Sequence, residues 1–213
     1  MEKQLGAFLS ELAYESPEKR REKLAQHYSH LHIADGFNDD EHFSVVGDKE
    51  LYNVHRGSTT KKDWLVTDPA ILFDNLKSTD RYHDSAAKSN AANEIYGQGK
   101  ARYEVGHSLG GTLAQEISQE NGNKSLAYNP GTSPFKTYAA VDKTQHQTFR
   151  NSHDLISLFN PNTEATSTQR ASYGNATVDK MIEKGLSGPI QKPELAFADK
   201  IFQMVKGHSI GQT

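Results

Sequence analysis

The stretch from Arg102 to Ser118 constrains this chain most. Arg102 to Val105 reads as a short strand and Thr112 to Ser118 as a helix, with Gly106-His107-Ser108-Leu109-Gly110 between them. A serine between two glycines at a strand-to-helix junction fits G-x-S-x-G, whose sharp turn lifts the serine oxygen above a sheet. Gly106 and Gly110 leave room for a strained turn and close packing. The helix N-terminus beneath Ser108 offers free N–H groups and a positive dipole end to a developing oxyanion. The bland alternative is a glycine-rich strand–helix turn without chemistry.

The rest of the chain supplies a matching frame. Leu5, Phe8, Leu9 and Leu12 recur at helical spacing, and Ser16-Pro17 reads as an N-cap followed by proline in the first turn of a second helix. The mixed-sign run Glu18 to Lys23 reads as the solvated face of that helix rather than a basic patch. Phe43 to Val46 and Leu51 to Val54 flank Gly47-Asp48-Lys49-Glu50 as a hairpin. Ser85 to Tyr96 reads as a helix, Ser125 to Tyr128 and Gln147 to Arg150 as strands, and Pro161 to Thr168 as a loop. Glu194 to Lys206 closes the chain as a helix, with Gly207 at its C-terminal end. Strands alternating with helices predict a single α/β domain over residues 1–213: a mostly parallel sheet flanked by helices, after an N-terminal helical segment to about residue 35.

Composition narrows the function. A net charge of −3 gives no electrostatic footing for nucleic acid. The absence of cysteine excludes disulfides, thiolate metal sites and a cysteine nucleophile. Only 35% of residues are hydrophobic, which predicts a lean core. No apolar run suits a membrane span, and the N-terminus lacks the continuous apolar stretch of a signal peptide, so the expected compartment is intracellular.

A serine hydroxyl needs a histidine base, and the histidine an orienting carboxylate. In an open α/β sheet these partners belong beyond the carboxyl ends of later strands, in the chain order serine, acid, histidine. Asp154 follows the strand Gln147 to Arg150 by a few residues, whereas the rival Asp142 precedes it. Asp154 also fits as the N-cap of a short helical segment, and the two roles are compatible. Of the histidines after Ser108, His146 precedes the strand and His153 adjoins the candidate acid; His208, just past the last helix, is the preferred base.

Three stretches together resemble the class 3 lipases, the fungal triacylglycerol-lipase type of α/β-hydrolase. They are Val54-His55-Arg56-Gly57-Ser58-Thr59-Thr60, with Asp63-Trp64-Leu65 and Asp68 behind it; Gly106-His107-Ser108-Leu109-Gly110-Gly111 with Leu113-Ala114; and His153-Asp154-Leu155-Ile156-Ser157-Leu158. The resemblance implies Ser108 as nucleophile, Asp154 as acid and His208 as base. It implies an oxyanion hole from Ser58 and from the backbone N–H of Leu109. His55 departs from the family's usual apolar or aromatic residue. Arg56 and Asp63 look structural, and Trp64 suits either the acyl site or the core. Leu65 to Phe73 reads as a buried helix more readily than as a lid, and Thr59-Thr60-Lys61-Lys62 is more charged than an interface-activated lid.

The expected activity is ester hydrolysis on a small-molecule ester or lipid, with no cofactor, no metal and no nucleic acid, and with room for contact with a lipid interface. Two alternatives stand beside it: a hydrolase fold kept as an inactive binding module, and a thioesterase, acyltransferase or amidase using the same triad.

Overall fold

The computed structural model describes residues 2–58, 75–131, 144–151 and 163–166. Two helices come first. α1 (Glu2–Leu12) buries Leu5, Leu9 and Leu12, the stripe that its sequence spacing predicts. Ser16 caps α2 (Pro17–His27), its side chain accepting the Lys19 N–H at 3.5 Å, and Pro17 stands in the first turn, where no N–H is needed.

The charged run of α2 is not wholly solvated. Arg20 is 1% exposed. Its guanidinium donates to the carbonyls of Ala13, Asp39 and Asp40 and to Asn38 Oδ1, and lies 4.9 Å above the ring of Phe43. It fastens the helical segment to the first turn of the sheet.

Among the described residues seven strands follow in one sheet, ordered as in the chain: β1 (His32–Asn38), β2 (His42–Val46), β3 (Glu50–His55), β4 (Ala101–His107), β5 (Lys124–Tyr128), β6 (His146–Asn151) and β7 (Thr163–Thr166). β1, β2 and β3 pair antiparallel, and β3 through β7 pair parallel. The β2–β3 hairpin closes where the sequence places it, with the Gly47 N–H donating to the Glu50 carbonyl at 2.9 Å. α3 (Asp80–Tyr96) precedes β4, and α4 (Leu109–Asn121) carries the chain from β4 to β5, as parallel neighbours require. The expected class holds: α/β, with a mostly parallel sheet flanked by helices.

Two strands correct the sequence reading. β1 starts at His32, so the helices end at His27. β7 falls inside Pro161 to Thr168, read as loop, and pairs Thr163 to Thr166 with Thr148 to Asn151. A short polar segment acquires strand structure from the hydrogen bonds of its neighbour β6 rather than from its own propensity. The helix expected over Glu194 to Lys206 lies outside the described residues.

The two faces of the sheet differ in kind. Alternate residues Phe43, Val45, Tyr52, Val54, Tyr103, Val105, Leu126 and Tyr128 bury an apolar layer with α1 and α2. The other face carries Ser44, Asn53, His55, Glu104 and Ser125, all buried, beneath α3 and α4. The helices answer with Ser85, Ser89 and Asn93 from α3. A chain poor in apolar residues thus closes one layer by hydrophobic burial and, on the other face, sets hydrogen-bonded polar groups beside the smaller apolar clusters Leu76, Tyr82, Leu109, Leu113, Ile117 and Ala34, Val46, Leu51. Among the described residues no helix is long and apolar enough to cross a membrane.

Candidate active site

β4 ends at His107 and α4 begins at Leu109, leaving Ser108 alone at the junction. Its backbone sits at φ 58°, ψ −126°. That region is costly for a residue with a Cβ, about 1–3 kcal/mol, and persists only where the surroundings impose it. Two bonds do so. The Ser108 N–H donates to the Tyr128 carbonyl at the end of β5 at 3.0 Å, and its own carbonyl accepts the Thr112 N–H at 3.1 Å. The Ser108 hydroxyl does not cap α4.

The flanking glycines are demanded by contact. A Cβ on Gly106 would overlap the Gly110 carbonyl, and one on Gly110 would overlap the His55 carbonyl. The start of α4 therefore presses against both β4 and the end of β3. The first N–H groups of a helix have no intrahelical acceptor, so those of Leu109 and Gly110 sit at the positive end of α4, beside Ser108.

The chain leaving β3 runs against this turn. A Cβ on Gly57 would overlap the Tyr14 hydroxyl, lie 2.7 Å from the His107 carbonyl and 3.2 Å from Ser108 Cβ. Gly57 thus borders the serine, and the half-buried Ser58 follows it in the chain. Arg81, on α3, fixes their approach: it pairs with Glu41 and donates to the carbonyls of Arg56 at 2.9 Å and Glu41 at 3.2 Å. The Arg56 N–H donates to the Glu41 carbonyl at 3.0 Å.

Three of the five expected site residues, Ser108, Leu109 and Ser58, are brought to one place by these contacts. Asp154 and His208 lie outside the described residues, as do His153, Asp142, Asp63, Trp64 and the stretch Leu65 to Phe73. β6 ends at Asn151, three residues before Asp154 in sequence, at the same end of the sheet as Ser108. His146 opens β6 at the opposite end, its Nδ1 within 3.0 Å of Ser125 Oγ and 3.3 Å of Ser118 Oγ.

Several neighbours of the site were not legible as such in the sequence. The Tyr14 hydroxyl lies 2.9 Å from His107 Nδ1, the rings meeting edge-on at 5.9 Å. Glu104 is fully buried and accepts a bond from His55 Nε2 at 2.7 Å. His42 packs 5.3 Å from His55, fully buried and with neither ring nitrogen hydrogen-bonded. Burial holds His42 well below the usual histidine range, reinforced by His55 beside it. The polar stripe Ser85, Ser89 and Asn93 of α3 was the available sequence signal for a polar layer. Among the described residues no group of three or more His, Asp or Glu side chains is placed to hold a metal ion.

A mostly parallel sheet, broken at the tip of a central strand by a strained serine that opens a helix, is the α/β-hydrolase-like arrangement. Among solved structures the chain is similar to the Lip2 lipase from Yarrowia lipolytica, with a TM-score of 0.46 and 16% sequence identity over 71% of this chain and 70% of that one. No protein family and no curated protein sequence matches the chain.

Proposed function

We propose that this chain is a serine hydrolase that cleaves carboxylic esters, residues 1–213 acting as one domain. The observation that carries the reading is the backbone of Ser108, held at positive φ on the tip of β4 with its hydroxyl uncommitted to the helix it opens. The resemblance of Val54 to Thr60, Gly106 to Ala114 and His153 to Leu158 to the class 3 lipases supports the same assignment.

In this reading His208 takes the Ser108 proton as Oγ attacks the ester carbonyl. Asp154 orients the imidazole and stabilises its charged form. The oxyanion of the tetrahedral intermediate accepts the backbone N–H groups of Ser58 and Leu109, each donor being worth a factor of about 10²–10³ in rate. The imidazolium returns its proton to the departing alcohol, leaving an acyl-enzyme. Water, deprotonated by His208, then attacks the acyl carbon, and the imidazolium returns the proton to Ser108 Oγ as the acyl–oxygen bond breaks and the acid leaves. A small ester or a lipid suits this chemistry, and no metal or cofactor takes part in it.

The test is covalent labelling by a fluorophosphonate together with turnover of short- and medium-chain p-nitrophenyl esters. Wild type should label and turn over. Ser108→Ala should do neither, and His208→Ala and Asp154→Asn should lose at least about a thousandfold in kcat. Full activity in His208→Ala would move the base to another histidine. A folded wild type that neither labels nor turns over would overturn the reading. Thioester and amide substrates run alongside identify the leaving group.

A further inference from the structure

The two halves of the proposed oxyanion hole hang from different strands. Ser58 lies just beyond the end of β3 and Leu109 just beyond the end of β4. Their N–H groups act together only if the strand ends keep a fixed spacing, to within about 0.5 Å. Backbone pairing sets the register, with His55 opposite Gly106. Beyond that pair the strands diverge, one into the Gly57 turn and the other into α4.

On the α3/α4 face a side-chain bond crosses between the same strands one step earlier. His55 Nε2 lies 2.7 Å from Glu104 Oε2, and both side chains are 0% exposed. Ser89 donates to the same oxygen at 2.9 Å. Oε1 accepts from Asn53 at 3.2 Å, Asn121 at 3.0 Å and Asn123 at 2.7 Å. The carboxylate therefore meets five donors from β3, α3, α4 and the turn after it, and only His55 among them can carry charge.

Burying a carboxylate is expensive, and an apolar pair would fill this layer with no such penalty. What the carboxylate adds is direction, since each donor must sit at a fixed distance and angle. His55 is the last residue of β3. Its backbone carbonyl packs against Gly110 of α4, and three residues later the chain reaches Ser58.

Resting on the hydrolase reading, we infer that His55 and Glu104 are positioning residues: their buried bond ties β3 to β4 and holds the Ser58 and Leu109 N–H groups at the spacing that an oxyanion requires. Neither side chain touches the substrate.

The experiment compares wild type with His55→Leu, which removes the donor, and His55→Gln, whose amide can donate to Oε2. Ser89→Ala, which removes the other Oε2 donor without altering β3, is the milder variant should His55→Leu not fold. Two readouts are taken: kcat and KM on a p-nitrophenyl ester, and amide hydrogen exchange of a peptide covering Gly57 and Ser58. His55→Leu should lose about 10- to 100-fold in kcat, with KM changed less than about threefold, because misplacement by a fraction of an ångström weakens the transition state more than ground-state binding. Its Gly57–Ser58 amides should exchange at least about tenfold faster. His55→Gln should recover most of both, and Ser89→Ala should show a smaller shift in the same directions. Unchanged kcat and exchange in a folded His55→Leu, or in Ser89→Ala if His55→Leu does not fold, overturns the inference. So does failure of His55→Gln to differ from His55→Leu. If wild type neither labels nor turns over, the hydrolase reading fails by itself, and the exchange readout still decides whether the pair holds the loop.

Discussion

The hydroxyl of Tyr14 lies 2.9 Å from Nδ1 of His107, joining the turn after the first helix to the residue that precedes Ser108. The same hydroxyl abuts Gly57, so one tyrosine touches both edges of the proposed site. Tyr14→Phe keeps the ring and deletes the bond. It should cost about 1 kcal/mol in urea denaturation. On the hydrolase reading, kcat should fall by roughly 3- to 10-fold. A Tyr14→Phe protein with wild-type stability and kcat would leave this contact without consequence.

The strain at Ser108 separates two substitutions that both delete the hydroxyl. Ser108→Ala retains a Cβ at φ 58°, whereas Ser108→Gly removes the conflict. Part of the relief is offset by the greater freedom of glycine in the unfolded chain. The net expectation is that Ser108→Gly is more stable than Ser108→Ala by about 1 kcal/mol, or about 2–4 °C in Tm. Equal melting temperatures would mean that the turn stores no strain.

His42 predicts a pH dependence of stability. Burial and the neighbouring His55 keep it neutral in the fold, while Asp39, Lys88 and Arg81 are the other charged groups that act on it. In the unfolded chain it titrates near its ordinary value of about 6.5. Below that pH the unfolded state binds a proton that the native state refuses. The contribution is therefore fully present above about pH 6.5 and is lost as pH falls, with a slope of up to about 1.4 kcal/mol per unit. His42→Phe should flatten the stability profile between about pH 5 and 6.5 and, since neither ring nitrogen is hydrogen-bonded, should not destabilise at pH 8. An unaltered slope would assign the acid sensitivity to other groups.

Arg20 offers a stability test far from the serine. Its guanidinium answers three carbonyls and one amide oxygen in a buried site, a planar fork that an ammonium cannot reproduce. Arg20→Lys should cost about 2–4 kcal/mol in chemical denaturation, because buried acceptors lose their donors. Arg21→Lys, half-exposed and paired with Asp35 only at 4.0 Å, should stay within about 0.5 kcal/mol of wild type. A mild Arg20→Lys would show that water can replace the fork.

What could be read from the sequence follows from where local rules govern. The hairpin around Gly47, the strand–glycine–serine–glycine–helix junction, β5 and β6 all carry strong local signals, and each formed as expected. β1 includes Ala34, Asp35, Gly36 and Asn38, all weak strand formers; its structure comes from pairing with β2, which no local pattern reveals. β7 is four residues long and owes its form to β6. Arg20 was read with its charged neighbours because sequence shows the charge but not the carbonyls converging on it. Glu104 was hidden by the ordinary alternation of its strand. A polar residue every second position suggests a solvated face, and only the polar stripe of α3 announces that a helix covers it. At the proposed site, glycine spacing and the resemblance to the class 3 lipases single out Ser108, Leu109 and Ser58; the contacts of Tyr14, Arg81 and Glu104 span long sequence separations and carry no local signal.

The unlike faces of the sheet bear on how the serine strand finds its place. A one-residue slip of β4 against β3 would turn Glu104 toward Leu9 and Leu126 and set Tyr103 and Val105 against the amides of Asn121 and Asn123. An ordinary two-sided apolar strand tolerates such an error as a near-degenerate misfold. Here the wrong alignment strands a naked charge in hydrocarbon and orphans its donors at once, so misregistered forms are driven out of the folding ensemble. The polar layer works as a proofreading device, fixing the alignment of the strand that ends at Ser108.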